Sequence, residues 1–259
     1  MIVRTSFIVL LVALFAALAQ VDPRVEALTQ ALRPVLPYPE ADADGELPVA
    51  GGAESKWFVV WPKTSEDRRI HVKANPLHPE TQAAGAAAMA RIQAAVEQAE
   101  RKAQAAYEKA LEELRRTGKS VDVDGVTLED EGAAGQRIDA ELELVIELNE
   151  IASYEIGSAE APEITSGPNG VTWSITTKAN TYRDGEGPSA REHFRPAEAR
   201  LIFGGITRPV VRRIADAHRF TVSISPDPGG FMVVLRGNEG LLNQVTAGAE
   251  WTRVARAPR

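Results

Sequence analysis

The chain has 259 residues, a formal net charge of −7 and no cysteine. Its hydrophobic fraction of 44% and charged fraction of 25% are ordinary for a globular protein with one or two domains. The lack of cysteine excludes disulfides, thiolate metal sites, iron–sulfur clusters and a cysteine nucleophile. The acidic balance argues against bulk attraction to nucleic acid, so no nucleic-acid partner is expected.

The first nineteen residues have the pattern of a secretory signal peptide. Arg4 precedes an apolar run, and the small residues Ala17 and Ala19 stand where a signal peptidase would cut. We therefore expect residues 1–19 to be removed and the protein to be periplasmic or secreted. An uncleaved anchor is the alternative, although the run is shorter than the roughly 20 apolar residues of a membrane span. Only that alternative would give the chain a membrane partner.

Residues 20–54 are expected to form a short helix, within 22–36, followed by a linker rich in Pro, Gly and Asp. The aromatic and β-branched residues 57–61 predict a strand that ends at Pro62. Alternating apolar and polar residues over 69–74 predict its partner strand.

The strongest predicted element is a long Ala-rich amphipathic helix over 80–117. Apolar residues recur along it at alternating spacings of three and four, which is the pattern of a coiled-coil seam. They are Met89, Ile92, Val96, Ala99, Ala103, Ala106 and Ala110. Such a helix would be longer than most globular helices, so we expect part of it to project or to form a homo-oligomer. Packing of its alanine seam on another helix or on a sheet is the alternative.

Beyond this helix the patterns favour strands. Asp124-Gly125, between alternating residues, predicts a hairpin, and period-two alternation predicts a long strand over 138–148 and another over 171–177. Residues 178–189 are interpreted as a loop, and residues 196–203 give no clear prediction of secondary structure.

The C-terminal region is predicted to mix helices and strands. A helix is expected over 208–218, strands over 220–225 and 231–236 joined as a hairpin, a helix capped by Asn238, and a last strand over 251–255. The expected fold is α+β, with antiparallel strands in two groups, 57–177 and 220–255. The expected domain organisation is a signal peptide (1–19), a short helix and linker (20–54), an α+β region (55–190) and a basic C-terminal module (191–259).

Several patterns suggest chemistry without establishing it. Residues 120–131 partly match an EF-hand calcium loop but lack its first carboxylate, and a hairpin explains the same residues more completely. His71, His78 and His193 could serve a metal-dependent or acid–base hydrolase if the fold brings them together. Carboxylates on alternate positions from Glu141 to Glu147 could serve glycoside hydrolysis, but they are also typical of a solvated sheet face.

The C-terminal arginines are the candidate binding residues. Residues 191–259 contain eleven arginines, no lysine and six acidic residues, a net charge of +5. Guanidinium groups match carboxylate and phosphate, so they could hold an anionic ligand. The four candidates are Arg208, Arg212, Arg213 and Arg219.

The sequence contains no motif for a nucleophile, a nucleotide or a metal, and no cofactor is predicted. We therefore expect an exported, non-enzymatic envelope or secreted protein that binds or scaffolds an unknown protein or an anionic ligand. The alternatives are the histidine-based hydrolase and an anion binder that uses the arginine cluster.

Overall fold

The computed structural model describes residues 22–41, 53–64, 67–117, 130–184, 191–204, 207–214, 218–225 and 227–258. The helices are α1 (Pro23–Leu32), α2 (Pro79–Thr117), α3 (Asp130–Leu142), α4 (Glu239–Gly248) and α5 (Trp251–Ala255). The strands are β1 (Trp57–Val60), β2 (Arg69–Ala74), β3 (Glu143–Glu150), β4 (Tyr154–Gly157), β5 (Glu163–Ser166), β6 (Trp173–Thr177), β7 (Asn180–Asp184), β8 (Arg191–Arg195), β9 (Ala197–Phe203), β10 (Val210–Arg213), β11 (Arg219–Ser223) and β12 (Phe231–Gly237).

A seven-stranded antiparallel sheet forms the centre of the molecule. Its strand order is β1-β2-β3-β12-β9-β6-β5, so β12, which is late in the chain, lies between β3 and β9. Strands from both predicted groups therefore share one sheet. Along β12, Val233 and Leu235 point to one face while Met232 and Val234 point to the other, and both sets are buried because both faces are covered here.

Helices α1, α4 and α5 cover one face of this sheet. Their apolar residues pack on the sheet in one core, where the rings of Phe203 and Phe231 stack 4.7 Å apart beside Trp251. Two side chains fix where the helices begin. Asp22 accepts a hydrogen bond from the backbone N–H of Arg24 at α1, and Asn238 accepts one from Leu241 at α4.

A smaller antiparallel sheet, ordered β10-β11-β4, covers part of the opposite face. Its inward residues Ile156, Phe220 and Val222 pack on Met232 and Val234 in a second core. The rest of that face lies beside α3 and the β7–β8 hairpin and carries both exposed and buried charged side chains. This charged part contains the candidate site.

Helix α2 is mostly exposed to solvent. At 39 residues it is about 58 Å long, and among its residues only Ala88 is buried. Helix α3, which contacts it, is about 20 Å long, so it can cover only about a third of α2.

The structure confirms the α+β class with antiparallel sheets and the long helix. It also confirms the antiparallel pairing of β1 with β2 and the cap at Asn238. The leader 1–19, the hairpin at Asp124-Gly125, most of the linker and residues 120–129 of the calcium-loop match lie outside the described residues. Those predictions stay predictions.

Five local predictions are wrong. The expected helix over 208–218 contains strand β10, because β-branched Val210 and Val211 pair with β11. The expected last strand is helix α5, where Trp251 and Val254, three residues apart, are both buried on one side. The expected strand over 138–148 is helical up to Leu142, and strand β3 begins only at Glu143.

The fourth wrong prediction is the hairpin over 220–236. Strand β11 belongs to the small sheet and β12 to the large one, so these consecutive strands stack across a core and do not pair. The fifth wrong prediction is the loop over 178–189, which contains strand β7. This strand pairs with β8, and the rings of the paired residues Tyr182 and His193 stack 5.4 Å apart.

Candidate functional site

The four candidate arginines lie on or next to strands β10 and β11 of the small sheet but do not share one face. Arg212 and Arg213 are consecutive on β10, so their side chains point to opposite sides of the strand. Arg208 precedes β10 and donates a hydrogen bond to the backbone oxygen of Ile164 on β5. Arg219 begins β11. The four arginine charges are therefore spread over two strands of the small sheet and do not converge on one site.

The histidines lie on separate elements. His71 is on β2, His193 is on β8, and His218 precedes β11. His78 stands just before α2, where its Nδ1 accepts a hydrogen bond from the N–H of Glu80. Across the described part of the chain, no three His, Asp or Glu side chains are grouped so as to hold a metal ion.

A different arginine cluster is centred on Glu198. This residue lies on β9, and its side chain is only 2% exposed although it carries a carboxylate. Arg236 is its partner across the strand pair β9–β12, and Arg200 follows it two residues later on the same face. Arg195, at the end of β8, reaches the same carboxylate.

Glu198 makes three short ion pairs. Its Oε1 accepts from the Nε of Arg200 at 2.6 Å, and its Oε2 accepts from Arg195 Nη2 and from Arg236 Nε, both at 2.9 Å. The guanidinium of Arg200 also lies 3.5 Å from the ring centroid of Tyr154 on β4, which ties the cluster to the small sheet. We call Glu198, Arg195, Arg200 and Arg236 the arginine cluster.

The pKa shifts follow from this geometry. Burial alone would raise the pKa of Glu198, but the positive charges of the three arginines outweigh it, and the pKa lies below its ordinary value. Burial lowers the pKa of Arg195, an effect that Glu198 partly offsets. Burial also raises the pKa of Tyr154 to about 12, so its hydroxyl stays protonated at neutral pH.

The arginine cluster has an excess of positive charge. Three guanidinium groups share one carboxylate, and within the described residues no other acidic side chain forms an ion pair with them. The Nε of Arg195 is buried and has no hydrogen-bond partner in the described part of the chain. Buried charges are normally compensated, and Arg195 and Arg200 are the buried pair, whereas Arg236 is half exposed and reaches solvent.

Arg236 connects the cluster to an open groove. Its side chain is 51% exposed and lines a groove of about 330 Å³ between α3, β8 and the β3–β12 pair. Phe194, Pro196 and Val145 form apolar walls, and the carboxylates of Asp139 and Glu143 also line the groove. The guanidinium of Arg137 on α3 lies 5.3 Å from the ring centroid of Phe194, a contact that joins α3 to β8. We call this feature the α3 groove.

A histidine–carboxylate pair borders the same groove. Glu143 lines it, and Glu143 Oε1 lies 2.8 Å from His71 Nδ1 and 3.8 Å from Lys73 Nζ. The hydrogen bond with His71 is the main cause that lowers the pKa of Glu143, against the opposing effect of burial. A carboxylate on Nδ1 orients an imidazole and leaves Nε2 for other contacts.

Sequence reasoning missed the arginine cluster, although one local signal was present. Glu198 and Arg200 occupy alternate positions in the otherwise apolar stretch Ala197–Phe203, which places two opposite charges on one face of a buried strand. Their partner Arg236 is far along the chain, so the pairing required the sheet order.

Comparison with models of protein families, with curated proteins and with solved structures found no match to this chain. None of the helices in the described ranges has the length and apolar character required to cross a bilayer.

Proposed function

We propose that this chain is an exported protein that binds an organic anion in the α3 groove and acts by binding, without catalysis. The observation that supports the proposal most is the surplus of positive charge around Glu198. An anion seated on Arg236 would compensate that surplus. Export is proposed from the signal-like pattern of residues 1–19.

Arg236 is suited to hold such a ligand. Its Nε donates to Glu198, and its terminal Nη groups are the atoms that would bind an anion in the groove. Two parallel N–H groups match the two oxygens of a carboxylate or phosphate. The salt bridge to Glu198 restrains the guanidinium, so less side-chain freedom is lost when an anion binds.

The walls of the groove define the rest of the ligand. Phe194, Pro196 and Val145 offer apolar surface next to Arg236, and a volume of about 330 Å³ is at the small end of the range for small-molecule sites. The ligand class is therefore a carboxylate or phosphate head with a compact apolar body. Benzoate and phenyl phosphate are suitable probes of the two head groups.

The test measures the thermal midpoint of the folded protein while either probe is titrated. A ligand that binds only the folded state raises the midpoint as its concentration exceeds the dissociation constant. We expect benzoate or phenyl phosphate, but not equal chloride, to raise the midpoint of the wild type. Arg236→Met should lose this response while retaining the apolar part of the side chain.

Arg69→Met is the matched control. Arg69 is an exposed arginine on β2 that pairs with Glu147 and lies outside the residues that line the groove. Its substitution should leave the response to both probes unchanged. The proposal fails if neither probe shifts the wild-type midpoint, or if Arg69→Met weakens the response as much as Arg236→Met.

Hydrolysis is a second candidate, favoured by the pair of His71 and Glu143 at the groove. Glu143 on Nδ1 would hold the tautomer in which Nε2 can accept a proton from water. In that case p-nitrophenyl esters or phosphates should be turned over, and His71→Asn should remove the activity. Turnover that survives His71→Asn, or no turnover by the wild type, would exclude this candidate.

A further inference from the structure

The exposed apolar surface of the described chain is concentrated on helix α2. Three of its five exposed large hydrophobic side chains are on this helix: Met89 is 65% exposed, Tyr107 57% and Leu114 40%. Eighteen residues separate Met89 from Tyr107, about five helical turns, and seven separate Tyr107 from Leu114, about two turns. The three side chains therefore form one straight apolar stripe along the helix.

The large apolar residues of α2 are arranged symmetrically about a point between residues 101 and 102. In the first half, their spacing is three and then four residues; in the second half it is four and then three. These residues are Met89, Ile92 and Val96 in the first half and Tyr107, Leu111 and Leu114 in the second. Read from opposite ends of the helix, the two sets have the same spacing.

We infer that α2 pairs with α2 of a second copy of this chain in an antiparallel arrangement, with the two-fold axis between residues 101 and 102. This alignment brings Met89 level with Leu114 and Val96 level with Tyr107 of the other copy. It also brings five alanines of the first half level with charged residues of the second: Ala87, Ala88, Ala90, Ala94 and Ala95. A parallel pair would instead place Met89 against Met89 and Ala against Ala.

Charge also favours a second copy as the occupant. Helix α2 carries six acidic and six basic residues and is neutral, whereas the whole chain carries −7. Two copies can therefore approach along α2 without the repulsion that their other surfaces would produce. Apolar stripes at heptad-like spacing on neutral helices are typical of coiled-coil association.

Glu100 is the one acidic residue on the stripe. It lies eleven residues after Met89, about three turns, and close to the proposed two-fold axis. The two copies of Glu100 would then lie near each other, flanked by Ala103. A polar residue in such a seam weakens association but specifies the alignment. Glu100→Ala should therefore lower the dissociation constant of the dimer several-fold.

Sedimentation equilibrium of the full chain, recovered after export, tests the pairing. We expect a mass of twice the single chain, and a monomer for the double variant Tyr107→Glu, Leu114→Glu. Gln98→Glu is the control, because Gln98 lies on the opposite side of α2 from Met89 and should leave the dimer unchanged. Circular dichroism of each variant checks that the fold persists. A monomeric wild type would overturn the inference.

Disulfide trapping tests the orientation, which is possible because the chain has no cysteine of its own. Met89→Cys and Leu114→Cys, made separately with different tags and mixed, should form a disulfide between the two variants after oxidation. Met89→Cys alone should give little cross-linked product. Efficient cross-linking of Met89→Cys with itself, and not with Leu114→Cys, would overturn the antiparallel arrangement.

Discussion

Replacing Glu198 with glutamine tests whether the arginine cluster holds the two sheets together. Glutamine keeps the size of the side chain but removes its charge. Its single oxygen can replace Oε2, which accepts from Arg195 and Arg236, or Oε1, which accepts from Arg200. Either choice turns an amide N–H₂ toward a guanidinium donor, so at least one charge-assisted hydrogen bond is lost.

The expected cost follows from burial. The side chains of Arg195 and Arg200 are largely buried, so their charges would be left uncompensated, whereas half-exposed Arg236 would be screened by solvent. Breaking a buried ion pair from one side costs about 3–5 kcal/mol. For a protein of this size we expect the thermal midpoint to fall by roughly 6–20 °C.

The assay is reversible chemical denaturation followed by circular dichroism, with Glu147→Gln as the matched control. Glu147 is a carboxylate on β3 in an ion pair with exposed Arg69, and such surface pairs contribute at most about 1 kcal/mol. If Glu198→Gln unfolds with the same free energy as Glu147→Gln, the cluster does not stabilise the fold and the reasoning is refuted.

Three other perturbations have defined outcomes. Because the folded-state pKa of Glu198 is lowered, its ion pairs stabilise the fold above about pH 4.3 and lose that effect as the pH falls further. The difference in the free energy of unfolding between wild type and Glu198→Gln should therefore become smaller when it is measured at successively lower pH. Gly237→Ala should destabilise the fold by at least about 2 kcal/mol in the same denaturation assay, because the φ angle of Gly237 is 130° and a Cβ would collide with the backbone oxygen of Glu143. Gly85→Ala is the control: Gly85 lies in open space on α2, so this substitution should be neutral or stabilising. Asn238→Ala should cost about 1 kcal/mol in thermal unfolding, because the N-cap of α4 is lost, and a cost near zero would contradict that role.

The elements that sequence predicted well are those whose signal is local. Helix α2 is built almost wholly from good helix formers, so its long helical pattern did not depend on tertiary contacts. Strands β1 and β2 alternate and are neighbours in the chain, which made their pairing predictable. The cap at Asn238 is likewise set by residues within one turn.

The elements that sequence misjudged are decided by tertiary partners. The alternation of Phe220 and Val222 shows that β11 has one apolar face, but not that this face packs on β12 where pairing with it was expected. Glu198 could not be recognised as a site residue because Arg236 becomes its neighbour only through the order of strands in the sheet. The positions of these residues in the sequence therefore did not predict the packing of β11 on β12 or the ion pair of Glu198 with Arg236.

The proposed ligand groove and the proposed dimer share helix α3. It contacts α2 on one side and forms a wall of the α3 groove on the other, and it continues directly into β3 at Glu143. Asn238 fixes this junction, since its side chain donates to the backbone oxygen of Glu141 and its N–H to that of Glu143. We expect a dimer that restrains α2 to restrain the groove as well. If dimerisation raises the anion affinity of each groove by some factor, linkage requires the anion to strengthen the dimer by that factor for each of the two grooves that it fills. Measuring the dimer dissociation constant with and without benzoate tests this coupling, and equal values would show that α3 transmits nothing between the two sites.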